Sequence, residues 1–475
     1  MSLALFKTVL DTFGSTIIVP IIVFIISVIL QVKPKTAFKG AIQMGVGLVA
    51  FNIILAALTS SFGDQITNMV NNTGINLPGI DVGWAAGAVI VYSNTIGMLY
   101  LILGLGIQLV LFIVKWTDTF QPTDIWNYYQ FVFWAAIVQY MTGSFALAIG
   151  CAVFLNLVVL LLADLVAPSM QEYYGYEGVT TTCFCAINAA PFAILMKWVF
   201  HKIGLDKIQV DPEKLRGKLG FWGEPMVMGL LVGSIITIIA NYNALDKMAT
   251  WATIITVGLT TGAIMALYPS VAGFFVRGLT PISQTMQMRI HKGEIKRENF
   301  FISLDPAVFF GESANLTSGL LLIPIMILIS IVEPGNKMLP LADLAAMPFM
   351  LESITAVMRG NILTTVITGA IWYAFGQLSN STILHIFSQA AAVGGYKASG
   401  SSLISSWSLG VVPWGWMGYK AFVGGAVGII IAVAIYFVVY FLFRKNKRAW
   451  QMAAGASKAY MDAHDASKMT TEADA

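Results

Sequence analysis

Windows of mostly apolar residues follow one another along almost the whole chain, near 8–30, 41–62, 88–114, 130–150, 183–201, 221–241, 248–268, 306–332, 340–358, 361–379 and 420–443. A helix needs about 20 such residues to cross the hydrocarbon core of a bilayer. Only 11% of the 475 residues are charged and 57% are hydrophobic, whereas an ordinary soluble domain carries about 25% charged residues. This chain could not cover its apolar surface with polar groups, so a water-soluble enzyme is excluded. An all-α polytopic membrane protein of about 11 transmembrane helices is expected. Two regions resist the window reading. The block 130–166 is too long for one span, and 380–419 is rich in Ser and Gly and only intermittently apolar. The run Thr16 to Leu30 has no cleavage pattern after it and continues into Lys33, Lys35 and Lys39, so no removable signal segment is expected.

Net charge is 27 − 24 = +3, too small to suggest a nucleic-acid partner. Basic residues in such a chain report orientation instead. They gather at Lys33–Lys39, at Lys202–Lys218, at Arg277–Arg297 and from Arg444 onward, while Ser60 to Ala88 holds no Lys or Arg. The basic loops and the C-terminus are therefore expected in the cytoplasm and the N-terminus outside. Between the cytoplasmic loops at Lys115 and Lys202 lie three apolar blocks where only an even number of crossings fits, so one block is expected to be re-entrant. Such backbone is tolerated only inside protein or beside a water-filled cavity. Both halves also carry a polar-punctured span start, Val91-Tyr-Ser-Asn-Thr95 and Ser303-Leu-Asp-Pro306, in opposite orientations. That hydropathy pattern suggests an inverted repeat with a midplane binding site. The Ala-rich, charged tail from Ala449 is expected to be a cytoplasmic helix fraying into disorder.

Polar groups inside spans carry the chemistry, because a carboxylate at the bilayer centre costs about 2.5–3.5 kcal/mol. Asp305 stands directly before Pro306, which reads as a helix cap. Its place inside an apolar run adds a second reading, a cavity-facing carboxylate for hydroxyl groups. Glu312 follows two turns later on one face and is read as cavity-facing. Glu224 precedes Pro225 beside a basic loop and is read as interfacial structure. Ser93, Asn94 and Gln139 are neutral hydrogen-bonding groups that glue helices or read a ligand. Cys151, Cys183 and Cys185 are expected as buried small side chains with no disulfide framework. The four histidines make no metal-binding spacing, Gly104-Leu-Gly106 is no dinucleotide loop, and no phosphate-binding lysine loop occurs. No metal and no cofactor are expected.

The segments Asp124-Ile-Trp-Asn127, Thr142-Gly-Ser-Phe145, Trp222-Gly-Glu-Pro225, Gly278-Leu-Thr-Pro-Ile282, Leu304-Asp-Pro-Ala-Val308, Pro334-Gly-Asn336 with Leu339-Pro-Leu-Ala-Asp343, and Arg359-Gly-Asn361 occur in this order. Together they resemble the galactitol-type IIC permease of the phosphoenolpyruvate-dependent sugar phosphotransferase system, in the ascorbate–galactitol superfamily, over about residues 10–444. The resemblance implies a homodimer in the bacterial inner membrane, working as an elevator with a V-shaped scaffold and a mobile core of two inverted repeats. The scaffold would be about 1–87 and 220–276, the core about 88–219 and 300–420, with a last span at 420–443 and a tail at 445–475.

The resemblance also implies transport of a galactitol-like polyol coupled to its phosphorylation. The donor would be a phosphocysteine on a separate cytoplasmic IIB protein, loaded in turn by IIA. This chain would then be the membrane subunit of a phosphocysteine–polyol phosphotransferase. Asp305 matches the Leu-Asp-Pro carboxylate of the pattern and is the first expected substrate contact and a candidate base. Glu312, Asn94, Gln139, Ser93 and Cys183 complete the expected substrate-binding set, and Gln139, Cys183 and Glu312 stand where the family has histidines. Two rival readings stay open at this stage. One is an ion-coupled transporter using Asp305 and Glu312 as proton carriers; the other is a membrane scaffold or sensor.

Overall fold

The computed structural model describes residues 12, 17, 19–74, 77–121, 125–210, 221, 224–291, 299–396 and 403–463. Helices dominate. In chain order they are α1 (Val19–Ile29), α2 (Pro34–Thr73), α3 (Trp84–Tyr92), α4 (Thr95–Ile113), α5 (Ile125–Thr142), α6 (Phe145–Tyr174), α7 (Phe184–Ile187) and α8 (Ala190–Ile203). Then come α9 (Pro225–Ala240), α10 (Met248–His291), α11 (Ser313–Val332), α12 (Met347–Val357), α13 (Ile362–Val393), α14 (Trp407–Gly410), α15 (Pro413–Val423), α16 (Ala426–Lys445) and α17 (Lys447–Ala453). Among the described residues, seven helices are long and apolar enough to cross a membrane. The chain is thus a polytopic, mostly helical membrane protein.

The number of apolar windows and the number of helices differ for a local reason: capping residues cut apolar runs that hydropathy alone reads as continuous. The run 88–114 breaks at Ser93-Asn94, where the Asn94 side chain accepts from the Ile96 N–H at 3.4 Å to start α4. The overlong block 130–166 breaks at Gly143-Ser144. Gly143 takes φ +66°, and Ser144 caps α6 through the Leu147 N–H. The run 306–332 splits into a 3₁₀ turn, Pro306–Val308, and α11, which starts at Glu312. The stretch 380–419 is resolved into the end of α13, a short strand and two helices, α14 and α15.

Among the described residues, six short strands punctuate these helices: β1 (Gly79–Asp81), β2 (Thr119–Phe120), β3 (Val179–Thr180), β4 (Phe301–Ser303), β5 (Met338–Leu339) and β6 (Leu403–Ser405). They form two three-stranded parallel sheets, ordered β5-β1-β6 and β2-β4-β3. In each sheet a central strand from one half of the chain lies between two strands of the other half. Backbone groups that would otherwise be unpaired inside a helical membrane body are satisfied this way.

Two tight helix crossings hold α2, α9 and α10 together. A Cβ on Gly40 would come within 2.5 Å of the Gly278 carbonyl oxygen, and one on Gly229 within 2.7 Å of the Gly262 Cα. Small residues at such crossings let backbones approach where lipid offers no hydrophobic driving force. Along α2, α9, α10 and α16, large apolar side chains such as Ile53, Ile235, Leu259 and Ile431 face outward, as lipid contact requires.

The tail departs from expectation. Through residue 463 it is docked rather than frayed: Gln451 donates to the Asp164 carbonyl at 2.9 Å, the Ser457 N–H to Glu172 at 2.7 Å, and the Tyr460 hydroxyl to Gln171 at 2.6 Å. Lys447 also pairs with Asp118. The polar end of α6 supplies these partners, which composition alone does not reveal. Residues 464–475 lie outside the described residues.

Candidate functional site

Each strand feeds directly toward a helix start, and the segments after all six strands reach one cavity. Its lining comprises Trp84 after β1, Gln130 on α5 after β2, Cys183 and Cys185 after β3, and Asp305 and Pro306 after β4. Ala346, Phe349 and Met350 after β5 and Ser408 after β6 complete that wall, and Leu48, Phe51 and Asn52 of α2 close the other side. The cavity holds about 780 Å³ counting its open mouth. Pockets for small ligands run to about 300–1,000 Å³ and combine apolar walls with a few polar groups. Here the apolar part is aromatic and aliphatic, and the polar part is one carboxylate, two amides, a hydroxyl and two thiols.

Asp305 is only 8% exposed. Its Oδ1 accepts from the Ala307 N–H at 2.7 Å, so it caps the 3₁₀ turn begun by Pro306 while lining the cavity. The cap and the cavity-facing carboxylate expected from sequence are therefore the same residue. Behind it, Gly311 allows the loop 309–312 to press on α10, since a Cβ there would fall 1.9 Å from the Tyr268 ring.

Gln130 holds the other flank. Its Oε1 accepts from the Cys185 N–H at 2.7 Å and its Nε2 donates to the Cys185 Sγ at 3.2 Å, which fixes the start of α7. The Cys183 and Cys185 sulfurs lie 3.5 Å apart and both are free thiols. Ser408 donates to Asp343 at 2.8 Å.

Of the residues expected from sequence, Asp305 and Cys183 meet in this cavity and the others do not line it. The Glu312 carboxylate accepts from the Ala314 and Asn315 N–H groups at 3.0 and 2.9 Å and caps α11. Asn94 caps α4 and donates to the Ala136 carbonyl at 3.5 Å, and the Ser93 hydroxyl donates to the Ile90 carbonyl. Gln139 sits half-buried with its Oε1 unpartnered among the described residues. Glu224 precedes α9 away from the cavity, and Cys151 is buried within α6. Among the described residues no cluster of acidic, His or Cys side chains is arranged to hold a metal.

Gln130 of the lining and three buried carboxylates outside it escaped the sequence reading. Gln130 lies nine positions before Gln139 in the same apolar block. Asp81, Asp343 and Glu352 are carboxylates in or beside apolar runs, the criterion that singled out Asp305, and applying it evenly would have found all three.

The family model of the PTS system sugar-specific permease component (EIIC-GAT) matches residues 8–401. The chain belongs to this family. The permease is 29% identical over 448 residues to the PTS system galactitol-specific EIIC component of Escherichia coli strain K12, covering 94% of this chain and 96% of that protein. The same figures hold for the protein of that name in Escherichia coli O157:H7. A putative permease IIC component of strain K12 is 29% identical over 436 residues, 91% of this chain and 98% of that protein. The family model spans both halves of the chain and every lining residue of the cavity except Ser408.

Proposed function

We propose that this permease carries a galactitol-like polyol across the bacterial inner membrane while a cytoplasmic IIB protein, loaded by IIA, phosphorylates it. The observation that carries the reading is the convergence of Asp305, two amides and six strand-to-helix junctions on one cavity. Polyol hydroxyls need both donors and acceptors; helix starts supply N–H groups and the carboxylate supplies acceptors. Trp84 offers a flat apolar face for the carbon chain. Phosphoryl transfer asks mainly for positioning and electrostatics from the protein that holds the acceptor. As the polyol hydroxyl attacks the phosphocysteine, the O–P bond forms, the S–P bond breaks with the thiolate left on IIB, and Asp305 takes the hydroxyl proton. Cys183 contributes its thiol to the wall.

The interleaved sheets support an inverted-repeat core, since exchanging the halves maps β1 between β5 and β6 onto β4 between β2 and β3. The mutual packing of α2, α9 and α10, with α2 forming one wall of the cavity, supports a separate scaffold beside that core; in this reading the core slides against it and two copies pair through it. The basic loops support a cytoplasmic C-terminus and an external N-terminus.

The test is uptake of labelled galactitol and related hexitols and pentitols into vesicles with and without the IIB partner and phosphoenolpyruvate. The label is expected inside only as polyol phosphate and only with both additions. Concentrated free polyol that collapses with a protonophore would overturn the reading in favour of ion coupling.

A further inference from the structure

Glu352 is fully buried at the middle of α12, and among the described residues neither of its carboxylate oxygens has a hydrogen-bond partner. The helix around it cannot turn to relieve this. Ser353 donates to the Ala186 carbonyl at 2.6 Å, Thr355 to Asn315 at 2.9 Å, and the Tyr174 hydroxyl to the carbonyl of Glu352 itself at 2.9 Å. Met350, two residues earlier, lines the cavity. The groups that act electrostatically on Glu352 are Cys185 and Asp305, both in the cavity wall. It acts in turn on Cys183, on Tyr174 of α6, on Tyr268 of α10 and on Tyr373 of α13. None of these is basic. Among the described residues, the cations near this end of the core, Lys197 on α8 and Arg359 just past α12, interact with Glu172 instead. The titratable group on α11's near end, Glu312, is occupied as that helix's cap.

An ionised carboxylate buried with neither a cation nor a hydrogen bond is strongly disfavoured, and the charge of Asp305 adds like-charge repulsion. Two interacting acids so placed share their protons as a pair. We propose that Glu352 holds a proton in the resting permease and is a positioning residue for Asp305, leaving one negative charge on the cavity instead of two. Asp305 then stays ionised as the acceptor for polyol hydroxyls. The inference rests on the polyol reading for its consequence but not for the proton itself.

The sign follows from the two roles. Raising the pH removes the Glu352 proton and sets two carboxylates against each other, so polyol affinity falls on the alkaline side. Lowering the pH protonates Asp305, so affinity falls on the acid side. Two measurements on the purified full-length permease decide the matter. First, infrared spectra without ligand should contain a protonated-carboxyl carbonyl band that disappears in Glu352→Gln; identical spectra would overturn the proposal whatever the substrate. Second, galactitol binding should lose about tenfold in affinity along the alkaline limb. Glu352→Gln should abolish that limb and keep the acid one, while Glu352→Ala should lower affinity at every pH. An alkaline limb unchanged in Glu352→Gln would overturn the coupling to Asp305. Absence of any polyol binding by the unaltered protein would instead defeat the functional reading, with the infrared result still deciding Glu352.

Discussion

Around β1 the backbone is gathered by carboxylates; around β4 it is gathered by hydroxyls. Asp81, 1% exposed, accepts from the N–H groups of Gly83, Leu341, Asp343 and Trp407 at 2.7–3.1 Å. Asp343 accepts from the Trp84 and Ser408 N–H groups and from the Ser406 and Ser408 hydroxyls. At the other sheet, Ser303 bonds the Thr182 N–H at 2.9 Å and its hydroxyl at 2.7 Å, and Thr181 donates to the Leu304 carbonyl at 2.8 Å. The two sheets face the same packing problem, three parallel strands each launching a helix start. The first solves it by saturating its acids with backbone donors. The second uses neutral staples between β3 and β4, leaves Asp164 to gather Thr117, Asp118 and Thr119 at the entry to β2, and keeps Asp305 in the cavity wall. The difference teaches where a carboxylate is structural and where it is available to a ligand: count the backbone N–H groups it already serves.

The largest expected effect comes from breaking the saturated side. Asp81→Ala strands four backbone donors, three of them buried, and at about 1 kcal/mol for each the loss is on the order of 4 kcal/mol. Folded protein recovered from membranes should fall sharply, with a lowered thermal midpoint in whatever remains. A near-normal midpoint would mean that water or rearrangement satisfies the β1 sheet.

Asp305→Asn is the functional counterpart. The helix start should survive, because Asn caps about as well as Asp. Hydrogen bonds to a charged group contribute about 1.5–3 kcal/mol, so polyol affinity should drop roughly 10- to 100-fold with the thermal midpoint barely moved. Binding and transport at normal levels would reduce Asp305 to a cap and erase the contrast between the sheets.

Much of this contrast was legible in the sequence and part was not. Leu304-Asp305-Pro306 announced both a cap and an intramembrane acid, and the apolar windows gave the membrane class outright. The strands were invisible because two- and three-residue strands have no periodicity to detect. Asp81 and Asp343 were therefore passed over, although Asp81 gathers Leu341, Asp343 and Trp407, and Asp343 gathers Trp84, each from more than 250 residues away in the chain. Glu312 and Asn94 were legible as polar interruptions of spans, but a helix cap and a ligand contact look alike until the helix starts are located. Cys183 was found through family resemblance and not through its chemistry.

Ser303→Ala sharpens the hydroxyl side. It removes the acceptor for the buried Thr182 N–H, worth about 1–2 kcal/mol, and should lower the thermal midpoint less than Asp81→Ala does. Because Thr182 adjoins Cys183 in the wall, a modest loss of affinity should accompany it.

The smallest effect is expected at Glu312, where the sequence and the geometry pull apart. Sequence reasoning made it a substrate ligand; the structure has its two oxygens on the Ala314 and Asn315 N–H groups at the start of α11. Glu312→Gln keeps one oxygen acceptor and removes both the second and the charge beside the helix start. A charge there contributes about 0.3–1 kcal/mol and a cap about 1 kcal/mol, of which Gln retains part. The expected outcome is a stability loss of about 1 kcal/mol or less with polyol affinity changed by under threefold, read from parallel melting and binding curves. Should Glu312→Gln instead lose affinity as steeply as Asp305→Asn while melting normally, then Glu312 touches the polyol. Counting backbone donors would then fail as a way to tell structural acids from ligand acids in this fold.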